Sequence, residues 1–337
     1  MSAIRQLRLQ FLRHGVRSAR ELGVALGVSQ PTVSRYLGEF EKSDAGTLIR
    51  IGKARATRYG LANPVADLGF EWPLYMITGD GSPDQLGRLQ YLAGDVSHFE
   101  GSAHPINAVL CAGDFQSGIF PGLPWFLDDL RPQGFMGRSF ARIHGKELGE
   151  GPDPSSWSPR AVVEALLRYG HDLPGAFVLG TRSLGAALTA KGVSRLAPAE
   201  RAEVYPRLAA DAIAGQLLGS SAGGEQPKFG AMLVGDGEPR NVLVKFSGMM
   251  ESPEHRRWAD LLAAEHLAAQ TLCDHGISAS FTEIFDFDGR RFLEVSRFDR
   301  CGANGRVVVI SLRALDAAHY GAPHTSWAAA ADRLEAA

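Results

Sequence analysis

Six stretches of the chain carry clear hydrophobic and polar patterning. In residues 18–40, Ala19, Leu22, Ala25 and Leu26 recur at helical spacing, and Gly27 then supplies a turn. Ser29 can cap a second helix, with Pro31 in its first turn and Val33, Leu37 and Phe40 as the buried stripe. Residues 47–61 alternate apolar and polar around Gly52-Lys53, which predicts a two-stranded hairpin turning there. Ser158-Pro159 opens an amphipathic helix running to Arg168. Lys228–Val234 and Asn241–Ser247 read as strands joined by the turn sequence 235–239. In the second of these, Val242, Val244 and Phe246 share one face, while Leu243, Lys245 and Ser247 share the other. A helix follows from Ser252-Pro253 to about Leu272, with Trp258, Leu261, Leu262, Ala268, Ala269 and Leu272 as its stripe and Glu265 among them. A further hairpin, 281–287 and 291–297, turns at Asp288-Gly289.

Composition and charge narrow the function classes. The 337 residues are 45 % hydrophobic and 21 % charged, an ordinary globular composition with room for two or three domains. No apolar run reaches the roughly 18 residues of a membrane span, and the Arg-rich first 20 residues do not read as a secretory signal, so the expected location is cytoplasmic. Cys111, Cys273 and Cys301 are far apart, which excludes a disulfide framework or a cysteine-rich zinc site. Charge is uneven. Residues 1–62 hold 11 Lys and Arg against 4 Asp and Glu, a balance of +7, whereas the whole chain is −2. A basic head on an acidic body points to a head that meets a polyanion.

The head resembles a winged helix-turn-helix domain. Gln30, Thr32, Ser34 and Arg35 then lie on the outer face of the second helix, where a recognition helix presents side chains to base edges. Arg50, Lys53, Arg55 and Arg58 decorate the hairpin and would bind phosphate without reading sequence. Helix-turn-helix geometry makes a homodimer on a palindromic operator the natural DNA partner.

Two charged residues stand out further along. Lys245 on an otherwise apolar strand needs a carboxylate or phosphate partner. Glu265 on the helix stripe is the nearest candidate, and a strand Lys paired with a helix Glu is how protein kinases hold the α- and β-phosphates of ATP. The glycine-containing loop Ser220–Gln226 precedes them and lets backbone N–H groups approach phosphate oxygens. It is not a Walker loop, because Glu225-Gln226 stand where Lys and Ser or Thr would be. The Asp286-Phe-Asp288 run mimics a metal motif, but Asp-Gly here is hairpin chemistry, and no metal site is expected within the chain. His171-Asp172 reads as structural.

The segments SSAGGEQPKF, VLVKFS, AEHLAAQTLCDHGI and FLEVSRFDR, in this order and spacing, resemble the HipA family of serine/threonine kinase toxins. FPGLPWFLDDLRPQGFMGRSFAR and LLRYGHDLPGAFVLG resemble that family's N-terminal subdomain, and the fused basic head is most similar to its YjjJ-type branch. The resemblance implies an α+β chain in four parts. These are a winged helix-turn-helix at 1–62, a HipA-like N-terminal subdomain at 63–205, a kinase-like N-lobe at 206–300, and the start of a truncated C-lobe at 301–337. It implies that Ser221, Ala222, Gly223, Gly224, Gln226 and Lys228 surround ATP phosphates. Lys245 would contact those phosphates, Glu265 would orient Lys245, and Glu294, Val295 and Ser296 would meet adenine. It implies autophosphorylation at Ser220 or Ser221, transfer to a protein serine, ATP with Mg²⁺ as cofactors, and an antitoxin as a further partner. The aspartates and asparagine that such a kinase needs for catalysis and Mg²⁺ fall in the C-lobe. Only Asp316 and Asp332 follow Arg300, with no His-x-Asp and Asn pattern, so the C-lobe reads as mostly missing and the chain as catalytically silent. The alternative is a DNA-binding regulator that keeps a non-catalytic nucleotide lobe.

Overall fold

Residues 3–43, 47–189, 193–215, 223–321 and 326–336 are described by the computed structural model. Chain contacts divide it into two units: residues 1–63, 89–129 and 310–337 in the first, 64–88 and 130–309 in the second. Both mix helices and strands.

The first unit begins with α1 (Ala3–His14), β1 (Arg17–Ser18), α2 (Ala19–Leu26), α3 (Gln30–Ser43), β2 (Leu48–Ile51) and β3 (Arg58–Leu61). Helix α2 starts in a capping box: the Glu21 N–H donates to Ser18 Oγ at 3.2 Å and the Ser18 N–H to Glu21 Oε2 at 2.7 Å. It stops at Gly27, whose φ of 66° is the left-handed cap a glycine adopts without strain. Leu7, Phe11, Leu22, Val33, Leu37 and Phe40 close a buried core, joined by Leu48, Leu61 and Ala93. Each fully buried side chain of this size contributes about 1.5–3 kcal/mol. The three strands pair in the order β1-β3-β2. The hairpin forms, with Leu48 opposite Leu61 and Ile51 opposite Arg58, but not as a tight turn at Gly52-Lys53. Gly52 and Ala54 both take positive φ, and a 3₁₀ turn at Ala54–Ala56 widens the tip.

The chain continues with β4 (Glu71–Ile77) in the second unit and β5 (Pro83–Leu92), whose last residues return to the first. Then come β6 (Val96–Gly101), α4 (Asn107–Leu110) and β7 (Ile119–Pro121). β6 and β7 pair antiparallel. The helix Leu312–His319 docks on this part of the first unit: the Ser311 N–H and Oγ both donate to Asp129 at 2.6 Å, and the His319 ring packs edge-on against Trp125 and Phe115.

The second unit adds α5 (Gly134–His144), α6 (Pro159–Tyr169), β8 (Phe177–Leu179), α7 (Thr181–Leu188), β9 (Ser194–Leu196) and α8 (Arg201–Ile213). After these come β10 (Lys228–Leu233), β11 (Arg240–Phe246), α9 (Pro253–Asp274), β12 (Thr282–Phe287) and β13 (Arg290–Ser296). Its main sheet runs β12-β13-β11-β10-β9, antiparallel except where β9 joins β10. Val242, Val244 and Phe246 face α8 and bury Tyr205, Leu208, Ala209 and Ala212. The other face carries Lys245 and meets α9. Asp288 and Gly289 both take positive φ, as the Asp-Gly hairpin turn requires.

Helix α9 departs from the sequence expectation. Of its predicted stripe only Leu262 is buried, together with Ala259, whereas Trp258, Leu261 and Leu272 are 44, 53 and 41 % exposed. The helix meets the sheet along a narrow line, and those side chains fall on its outer flank.

Candidate functional site

The register of β11 places Lys245 opposite Lys228 on β10 and Leu293 on β13. Just over three turns into α9, Glu265 reaches back, and Lys245 Nζ donates to its Oε1 at 2.5 Å. The pair is half-buried, at 23 and 42 % side-chain exposure, so Glu265 sits at the edge of the helix–sheet contact rather than within it. A cation held by a carboxylate at a cleft edge is pre-aimed and still open to an anionic ligand.

The loop leading into β10 converges on the same place. Ser220, Ser221 and Ala222 lie outside the described residues. Gly223 and Gly224 present their carbonyls to Lys228 Nζ at 2.5 and 3.1 Å. Lys228 is 3 % exposed, and burial, helped by the nearby Lys245, pushes its ammonium down to about 8. Gln226 keeps a buried Nε2 with no partner among the described residues. Of the described residues expected at the phosphates, Gly223, Gly224 and Gln226 share one loop, and Lys228 and Lys245 stand on the two adjacent strands β10 and β11.

Beside Lys245, on the same strand face, Leu243 helps to wall an apolar pocket of about 160 Å³, with Val295, Ser296, Phe298, Pro174 and Val309. The expected adenine contacts divide here. Val295 and Ser296 line the pocket, whereas the Glu294 side chain is 1 % exposed and fully committed elsewhere. It accepts from Arg201 Nε at 2.8 Å, Arg240 Nη2 at 2.6 Å and the Tyr205 hydroxyl at 2.5 Å. Its backbone is paired too, between Val244 on β11 and Glu283 on β12, so Glu294 is a structural strut of the sheet. Leu243 was legible from the period of two that it shares with Lys245; Pro174 and Val309 gave no local signal.

Behind the pocket lies a buried ionic group. Asp172 accepts from Arg297 at 3.0 Å and from Arg300 at 3.1 Å, and Asp299 accepts from Arg297 and Arg300 at 2.9 and 2.7 Å. Arg300 also donates to the Leu173 carbonyl and Arg306 to that of His171, so three guanidiniums fix the segment that carries Pro174. Burial alone would push the Asp172 and Asp299 carboxyls up, but the guanidiniums outweigh it and hold both below their ordinary value. Arg306 Nη1 is buried without a partner among the described residues. His171-Asp172 is therefore structural, and Asp286, tied bidentately to Arg291 at 2.8 Å, is a hairpin brace.

In the first unit, Gln30, Ser34 and Arg35 lie exposed on α3, with Thr32 half-buried. The hairpin cations are not equivalent. Arg50 is bound to Glu41 at 2.7 Å and Arg58 lies 3.6 Å from Glu21, whereas Lys53 and Arg55 at the tip have no carboxylate partner among the described residues. No described helix is long and apolar enough to cross a membrane.

Two segments of the chain match described protein families. Residues 68–188 fit the family described as YjjJ-like toxin, middle domain, and residues 220–336 fit the HipA-like C-terminal domain. The chain belongs to the HipA-like toxins, in the YjjJ-like branch. Over 336 residues it is 35 % identical to Toxin YjjJ of Escherichia coli (strain K12), an alignment covering 99 % of this chain and 71 % of that protein.

Proposed function

We propose that this chain is a HipA-like toxin whose second unit carries a kinase-like lobe binding ATP and whose residues 1–62 form a winged helix-turn-helix that binds DNA. The family reaction is transfer of the ATP γ-phosphate to a protein serine. The observation that carries the ATP reading is the Lys245–Glu265 pair, with Lys245 two residues along β11 from Leu243 in the wall of the apolar pocket. Lys245 would meet the α- and β-phosphates, Glu265 would hold it, and the loop at Gly223–Gly224 would cover them. The base would enter beneath Leu243 and pack against Val295 and Ser296. In the head, α3 would enter the major groove with Gln30 and Arg35 at base edges, and Lys53 and Arg55 would take phosphates.

ATP fits the residues present; Mg²⁺ does not. Among the described residues no group of three or more His, Cys, Asp or Glu converges, and Asp316 is held by Arg333 at 3.0 Å. The second reading is a DNA-binding regulator with a non-catalytic nucleotide lobe.

Calorimetry of the full chain with ATP tests the first part. The wild type binds, and Lys245→Met weakens binding at least about ten-fold, the loss of one charge-assisted contact. A wild type that does not bind ATP removes the nucleotide reading. Radiolabel on protein serine that disappears in Lys245→Met establishes a working kinase, whereas binding without transfer establishes the regulator.

A further inference from the structure

Helix α5 begins at Gly134 with no side chain capping its first turn. The Phe135 N–H instead donates to the Gly224 carbonyl at 3.0 Å. The phosphate loop thus serves as the cap of a helix far from it in sequence. One turn on, Arg138 forms an ion pair with Glu225. That pairing raises the Arg138 guanidinium and lowers the Glu225 carboxyl. From the other side, Lys228 grips the Gly223 and Gly224 carbonyls. There is little spare room. Gly134 has φ +62°, and a Cβ on it would overlap the Gly224 backbone; a Cβ on Gly224 would lie 3.2 Å from Lys228 Nζ. The loop end is clamped between a helix start and a strand lysine.

We propose that Arg138 is a positioning residue for the nucleotide site. Through Glu225 it holds the Gly223–Gly224 turn on the N-terminus of α5, so that loop and helix start form one element. Displacing the loop uncaps α5, and by linkage whatever orders the loop protects the first turn of α5. The effect on ATP rests on the nucleotide reading above; the coupling of loop and helix does not.

The test uses the full chain with Arg138→Glu, Glu225→Arg and the double exchange. ATP affinity is read by calorimetry, and amide hydrogen exchange follows residues 133–139. Arg138 and Glu225 are 47 and 71 % exposed, so an isolated pair of this kind is modest. Each single variant is expected to bind ATP about five-fold more weakly and to exchange faster in the first turn of α5. The double exchange restores the opposite charges and should return both readouts to within about two-fold of wild type, as a pairwise interaction requires. Single variants that bind ATP as the wild type does, or a double variant no better than the singles, overturn the proposal. If the wild type binds no ATP, the nucleotide reading falls and exchange alone decides the coupling. Faster exchange that recovers in the double variant keeps it, and unchanged exchange ends it.

Discussion

Replacing Asp172 by asparagine takes one of two negative charges away from three buried guanidiniums. Asp172, Asp299, Arg297, Arg300 and Arg306 together carry +1, and the substitution leaves +2 in the same space. Arg297 and Arg300 are 9 and 5 % exposed, so water screens little of this. Both donate to the same Asp172 oxygen, and an asparagine oxygen keeps that acceptor; what is lost is charge, not shape. Removing one partner from a buried ion group costs about 3–5 kcal/mol, and with the acceptor retained the lower end applies, about 3 kcal/mol. For a unit of this size each kcal/mol moves the midpoint by about 2–4 °C, giving a fall of about 6–12 °C. Urea or thermal unfolding at pH 7, followed by the fluorescence of the buried Trp72 and Trp157, reads it. The sign in acid is fixed as well. The folded Asp172 carboxyl is held below its ordinary 3.8, so its stabilisation is present above that pH and is lost as pH falls through the lower folded value. The gap between wild type and variant therefore closes in strong acid. A loss at pH 7 below about 0.5 kcal/mol, the size of a surface pair, would show that the group is not the anchor described here.

In the basic head, Arg55→Ala should weaken binding to all DNA sequences about equally and make the log affinity against log salt slope shallower by about 1, because Arg55 would contact phosphate only. Filter binding between low and high salt checks this, and sequence-selective loss would move Arg55 into the base-reading group. In the nucleotide site, Lys228 titrates near 8 when folded against 10.5 when free, so the folded protein gains stability as pH climbs from about 8 towards 10.5. Bound phosphates would draw the proton back. ATP binding at pH 8.5 should therefore take up protons, seen as a buffer-dependent calorimetric enthalpy that vanishes at pH 6.5. Equal enthalpies across buffers at pH 8.5 would place the phosphates away from Lys228.

The head was legible because its helices are punctuated where physics demands it: Gly27 stops the first, and Val33, Leu37 and Phe40 repeat at helical spacing in the second, whereas the Ser18 cap of the first helix was not read from the sequence. The Lys245–Glu265 pair was legible for a related reason, since a charge on an apolar strand face and another on a helix stripe each require a partner. The width of the α9 stripe was misread, because spacing shows which residues could face a sheet but not how much of the helix the sheet reaches. The hairpin tip was misread because Ala54 takes a positive φ that alanine seldom adopts. The Asp172 group and the Arg138–Glu225 clamp left no local trace, since their partners come from opposite parts of the chain and no periodicity links them.

The docking of His319 against Phe115 and Trp125 also sets a timetable for synthesis. The helix that covers these two rings is translated about 180 residues after Asp129, so at typical elongation rates they wait on the order of 10–40 s for it. During that interval the nascent chain offers an unfinished aromatic surface to chaperones and to neighbouring chains. The first unit is thus completed by a segment translated after the whole of the second.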